Sequence, residues 1–82
     1  MNPWKFDLVP APPAGGKIQG HVAWDDPVLA GWEWPYIAVN GALPGPAVLV
    51  TAGIHGSEYP SIDAAIRLGA ALDPQQVRGQ IL

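Results

Sequence analysis

One short segment constrains the fold of this 82-residue chain more than any other. Residues 47–52 form a hydrophobic run that is apolar on both faces, as is typical of a central strand covered on two sides. The run ends at Gly53, and small or apolar residues then recur at helical spacing. These helical positions are Ile62, Ala65, Ile66, Gly69 and Leu72. The segment therefore predicts a strand, a sharp turn and a helix.

Two further strands are predicted upstream of this segment. Residues 17–24 alternate loosely between apolar and polar side chains, so Ile18, Val22 and Trp24 would share one face. Residues 33–39 alternate as well, and Pro35 favours an edge or the start of a strand because proline lacks an N–H. Asn40 and Gly41 predict a turn, which residues 43–46 extend as a loop.

The boundaries of the helix are also marked in the sequence. Ser57 is a candidate N-cap, because its side-chain oxygen can accept a bond from a free backbone N–H. Pro60 then falls in the first turn, and Asp73-Pro74 ends the helix, since a residue before proline avoids the α region. Residues 77–82 begin a fourth strand. The order β-β-β-α-β predicts a mixed α/β sheet.

The chemistry is concentrated at the predicted turn, where His55 is followed three residues later by Glu58. Open α/β sheets bind ligands beyond the carboxyl ends of their strands, so both side chains would face such a crevice. Zinc accepts imidazole nitrogen and carboxylate oxygen as ligands. His55 and Glu58 are therefore the candidate metal ligands. The alternative is a buried histidine capped by its neighbour and a solvated glutamate, which a bare His-x-x-Glu would favour.

The motif is longer than a bare His-x-x-Glu. Gly-Ile-His-Gly-Ser-Glu, the preceding Pro-Gly-Pro-Ala-Val-Leu-Val-Thr-Ala and the later Leu-Asp-Pro with Val-Arg-Gly resemble the succinylglutamate desuccinylase/aspartoacylase family. This family is a branch of the zinc-carboxypeptidase-like hydrolases, and the resemblance covers residues 36–82. It implies an α/β/α fold, a Zn²⁺ cofactor held by His55 and Glu58, and a small-molecule N-acyl substrate. Ser57 departs from the Asp or Asn that relatives often carry, which leaves the substrate open.

The resemblance further implies a third histidine ligand, a general-base glutamate and substrate-binding arginines downstream, none of them within these residues. We expect residues 1–16 to be an extended Pro/Gly-rich lead-in and residues 17–82 to be the incomplete N-terminal part of a catalytic domain. The expected function is a zinc-dependent amidohydrolase that cleaves an N-acyl amide of an amino acid or similar amine. A zinc carboxypeptidase, or a non-catalytic module that retains the fold, is the alternative.

Composition excludes other classes of function. The chain has no cysteine, so thiolate metal sites and disulfides are impossible. Its four basic residues are scattered and its net charge is -3, which argues against a nucleic-acid partner. No apolar run is long enough for a membrane span, so a cytoplasmic protein is expected. We expect an exposed strand edge and the tryptophans to promote self-association.

Three other features have plain interpretations. His21 is a surface or half-buried residue of a strand with no partner motif. Trp24, Trp32 and Trp34 are expected to pack in the core or a subunit contact, because no basic residues lie among them. Asp63 and Arg67 are expected to form a surface pair four residues apart on the helix.

Overall fold

A computed structural model of the chain describes residues 3–23, 26–29, 31 and 33–82. The described residues form a small mixed α/β domain with a four-stranded sheet and one α-helix. The elements are β1 (Gly16–Ala23), a short 3-10 helix (Pro27–Leu29), β2 (Glu33–Asn40), β3 (Leu43–Val48), α1 (Tyr59–Ala71) and β4 (Arg78–Ile81). The predicted element order and the mixed sheet are confirmed.

The sheet has the spatial order β1-β2-β4-β3. β1 pairs with β2 and β2 with β4 in antiparallel fashion, whereas β3 and β4 are parallel neighbours. Because β3 and β4 run in the same direction, the chain must cross over between them, and α1 provides that crossover. The segment from β3 to β4 is therefore a βαβ unit, and residues 49–58 connect the carboxyl end of β3 to the helix.

The alternation predicted for the first strand is confirmed. Ile18, Gly20 and Val22 are half-buried, whereas the residues between them are exposed. Trp24, predicted to share this face, lies outside the described residues. Pro35 lies in β2, which pairs with β4 at Val39 and Asn40, so among the described strands only β1 flanks β2 at this proline. The missing N–H of Pro35 is thus tolerated, as at an edge.

The third strand differs from the prediction. It spans Leu43–Val48, includes the residues that we assigned to a loop, and ends before Ala52. It is an edge strand of the described sheet and all six of its residues are exposed, so the expectation of a central strand covered on both faces is wrong. Pro44 and Pro46 are tolerated in this edge strand, because they have no N–H that would need a hydrogen-bond partner on the unpaired side of the strand. The turn predicted at Asn40-Gly41 does not close a hairpin, because β4 lies between β2 and β3.

β3 approaches β4 closely and irregularly. Their register shifts between Leu43 and Ala47, and a side chain at Gly79 would overlap the carbonyl of Pro46. Parallel pairing continues past the assigned end of β3, since Leu82 N donates to Val48 O at 3.0 Å and Val50 N donates to Leu82 O at 2.8 Å. The start of the crossover loop is therefore tied to the sheet as far as Val50.

α1 packs on the sheet face that carries Ile37, which lies against Gly69. Its carboxyl end has no basic residue in the last turn, but Lys17 reaches across from β1. Lys17 Nζ donates to the carbonyls of Gly69 at 2.9 Å, Ala70 at 3.3 Å and Leu72 at 2.8 Å. A cation here satisfies free carbonyls and opposes the negative end of the helix dipole.

The predicted end of the helix is confirmed and its predicted start is wrong. α1 ends at Ala71, ahead of Asp73-Pro74. Its N-cap is Glu58 rather than Ser57, and no side-chain bond caps it. Pro60 lies in the first turn as predicted, where its missing N–H leaves no bond unmade.

The opposite face of the sheet is met by the N-terminal segment, in which residues 3–15 contain no helix or strand. Gln80 of β4 is 2% exposed. Its side-chain amide accepts from Lys5 N at 3.0 Å and donates to Pro3 O at 2.9 Å. Val9, on the same segment, is buried, as are Ala38 and Val39 of β2. The lead-in is thus part of the small core.

Candidate metal centre

The crossover loop between β3 and α1 contains a tight turn around His55. Gly56 N donates to Gly53 O at 2.9 Å, which closes the turn, and Ser57 N donates to His55 O at 3.0 Å. The loop follows the carboxyl end of β3, where ligands bind in α/β sheets. His55 therefore lies on the loop that follows the carboxyl end of β3, as the sequence pattern predicted, although the strand ends earlier, at Val48.

Two glycines allow this turn to form. Gly53 has φ +69° and Gly56 has φ +83°, in the left-handed region that side chains disfavour. A Cβ at Gly53 would also lie 2.8 Å from both Cδ1 and Cγ1 of Ile62 on the helix. At Gly56 a Cβ would meet no atom of the described residues within 4 Å. Gly53 is thus required by conformation and by packing, and Gly56 by conformation alone.

The side chains of His55 and Glu58 meet, as their spacing predicts. His55 Nδ1 and Glu58 Oε2 lie 2.6 Å apart, and the two side chains are 80% and 42% exposed. An ionised carboxylate can only accept, and in that state Nδ1 is the donor in this bond. The predicted contact of the two groups is observed, and the same hydrogen bond fits the alternative of a histidine capped by its neighbour, although His55 is exposed and not buried. Their assignment as metal ligands stays a prediction.

The donor pair suits zinc in chemical type and, after a small adjustment, in geometry. Two ligands of a tetrahedral zinc ion lie about 3.3 Å apart at ordinary bond lengths, so the pair would have to open by about 0.7 Å. Zinc would replace the hydrogen between Nδ1 and Oε2, since a ligand nitrogen must be deprotonated. The exposure of both side chains allows this movement. Among the residues that the structure describes, no third His, Cys, Asp or Glu joins the pair.

The other residues considered from the sequence lie away from this pair or carry no metal chemistry. His21 is exposed on β1, opposite Pro35 of β2. Arg67 Nε donates to Asp63 Oδ2 at 2.8 Å, so the predicted surface pair is confirmed. Trp34 is 55% exposed, so it does not pack in the core, and the subunit contact given as the other option stays a prediction. The other two tryptophans of that group lie outside the described residues.

Sequence reasoning missed the residue that joins the loop to the helix. Ser61 Oγ accepts a bond from Gly53 N at 3.2 Å and donates to Glu58 O at 2.9 Å. The position of Pro60 could have revealed this arrangement, because proline favours the first positions of a helix. Because the helix starts at Tyr59, Glu58 is the N-cap and the hydroxyl of Ser61 lies within hydrogen-bonding distance of Gly53 N in the loop.

No protein-family model, curated protein or solved structure matches this chain. In the part of the chain that is described, no helix is both long and apolar enough to cross a membrane. The interpretation of His55 and Glu58 therefore rests on the motif and on the local geometry.

Proposed function

We propose that this chain supplies two zinc ligands, His55 and Glu58, to a zinc-dependent amidohydrolase that cleaves N-acyl amides of small amines. The observation that carries the proposal is the meeting of the two side chains, 2.6 Å apart, on one exposed loop. The resemblance of this motif to the desuccinylase/aspartoacylase family supplies the reaction class. A third ligand and the general base would come from residues beyond this motif.

The position of the pair in the fold supports the same function. The loop follows β3, which runs parallel to β4. It therefore begins at the carboxyl end of the parallel strands, where α/β enzymes bind their ligands. The imidazole is mostly exposed, which leaves room for further ligands and a substrate. A deeply buried pair would instead indicate a structural role.

Each group would have a defined task. Bound zinc would polarise the acyl carbonyl and promote the attack of water. His55 would supply a neutral nitrogen ligand, and the charge of Glu58 would offset part of the charge of the ion. The short spacing of the motif places the two donors close together on one loop, His55 in the turn and Glu58 at the N-cap of α1.

Zinc titration of the 82-residue chain tests the ligand assignment directly. Calorimetry should show weak binding at one site, because two protein ligands make an incomplete zinc site. His55→Ala and Glu58→Gln should each abolish it, since an amide is a poor zinc ligand. His21→Ala, which removes the other histidine of the chain, is the matched control and should bind as the wild type does. Equal losses at His21 and His55 would refute the assignment.

Activity tests the reaction class. In a protein that contains this chain together with the expected downstream groups, His55→Ala should abolish hydrolysis of N-acyl amino acids, while His21→Ala should leave the rate unchanged. The 82-residue chain alone should show no turnover with added zinc. Zinc binding without hydrolysis by the larger protein would favour a non-catalytic module, and cleavage of peptides in place of N-acyl amino acids would favour a carboxypeptidase.

A further inference from the structure

Ser61 connects the two ends of the loop that carries the candidate ligands. It is the third residue of α1, and its hydroxyl stands between two backbone groups. The oxygen accepts from Gly53 N at 3.2 Å, where the turn begins, and the hydroxyl donates to Glu58 O at 2.9 Å, where the loop enters the helix. One side chain thus bridges the first and last residues of the segment 53–58.

This bridge links the turn to the start of the helix. The turn is closed internally by Gly56 N and Gly53 O, and the helix begins with Ile62 N donating to Glu58 O at 3.2 Å. His55 belongs to the turn and Glu58 to the start of the helix. The Ser61 hydroxyl adds a bond between these two units, beside the direct contact of Nδ1 with Oε2, and so restrains the turn against the helix.

We infer that Ser61 is a positioning residue for the His55–Glu58 metal site, an inference that rests on the proposed zinc function. Both hydrogen bonds of its hydroxyl go to backbone groups, Gly53 N and Glu58 O. Ser61 therefore acts on the two ligands through the backbone. Without the hydroxyl, Gly53 N loses its acceptor and the turn moves more freely against the helix. Metal binding must then order both ligands, which lowers affinity.

Zinc titration of the 82-residue chain with paired variants of Ser61 tests this inference. Ser61→Ala removes the hydroxyl and should weaken zinc binding about fivefold, the effect of losing one ordinary hydrogen bond. Ser61→Thr keeps the hydroxyl and should restore binding. Ser61→Val has the shape of threonine without the hydroxyl, so it should bind as weakly as the alanine variant. Ser57→Ala, which removes an exposed hydroxyl from the same loop, is the control and should bind as the wild type does.

Folding and binding are separated by two further measurements. The urea midpoint of each variant reports stability. If the alanine variant unfolds, the threonine and valine variants still test the hydroxyl, because their side chains have nearly the same shape. Amide hydrogen exchange at Gly53 reports the bridge itself and should accelerate in the alanine and valine variants only. Zinc affinity that is equal in the threonine and valine variants would overturn the positioning role.

The two proposals fail in distinguishable ways. A wild-type chain that binds no zinc would overturn the metal function, and the Ser61 bridge would then be judged by exchange at Gly53. Exchange that stays slow in Ser61→Ala and Ser61→Val would overturn the bridge, whatever the zinc titration shows. A wild type that binds zinc, with weaker binding in both variants and rescue by threonine, would support both.

Discussion

Replacing Gly53 with alanine should destabilise the chain much more than the same change at Gly56. Both residues have positive φ, +69° and +83°, so each substitution forces a side chain into the left-handed region. That conformation costs about 1–2 kcal/mol, from which the lower entropy of the unfolded alanine chain recovers about 0.4–1 kcal/mol. Gly56→Ala, with open space around its Cβ, should therefore lose about 1 kcal/mol of unfolding free energy.

Gly53→Ala carries a second penalty because its Cβ would lie 2.8 Å from Cδ1 and Cγ1 of Ile62. Overpacking of this kind costs about 1–3 kcal/mol, so the total loss should be about 3 kcal/mol. The steric part should vanish when Ile62 is shortened. In a double-mutant cycle, Gly53→Ala and Ile62→Ala should therefore be coupled by about 1–2 kcal/mol, whereas Gly56→Ala and Ile62→Ala should be additive.

Urea unfolding monitored by tryptophan fluorescence measures all of these values. The reasoning requires that Gly53→Ala and Gly56→Ala differ by more than 1 kcal/mol, a gap that comes from the contact with Ile62. Equal losses would show that the turn does not pack on the helix as described. Additivity between Gly53→Ala and Ile62→Ala would lead to the same conclusion.

Two further predictions concern the helix and the exposed apolar surface. Lys17→Met should lower the unfolding free energy by about 1–2 kcal/mol, because the ammonium group of Lys17 donates to three carbonyls at the end of α1. Lys5→Met is the control. Equal urea midpoints for the two variants would contradict the capping role of Lys17. We also predict self-association through the apolar segment after β3, where Leu49 is 62% exposed. Sedimentation velocity should show association of the wild type that Leu49→Glu weakens. Val28→Glu, at a site that is 86% exposed, is the control and should leave the association unchanged. A wild type that stays monomeric at all concentrations would refute this prediction.

Local sequence predicted the contact between the two candidate ligands because this interaction is local. His55 and Glu58 are three residues apart at the junction of a glycine turn and a helix, so their side chains can meet without help from distant parts of the chain. The end of α1 before Asp73-Pro74 and the alternation of β1 were predictable for the same reason. Each depends on backbone preferences that a few neighbouring residues set.

The tertiary structure alone decided the neighbours of each strand. Residues 47–52 have the composition of a central strand. However, the chain crosses over through α1 and places β4 between β2 and β3, so β3 is an edge strand of the described sheet. The capping of α1 by Lys17, 52 residues away from Gly69, and the anchoring of Pro3 and Lys5 by Gln80 likewise join distant parts of the chain. Composition and periodicity describe which faces of an element are apolar, whereas strand pairing and long-range capping depend on how the whole chain closes on itself.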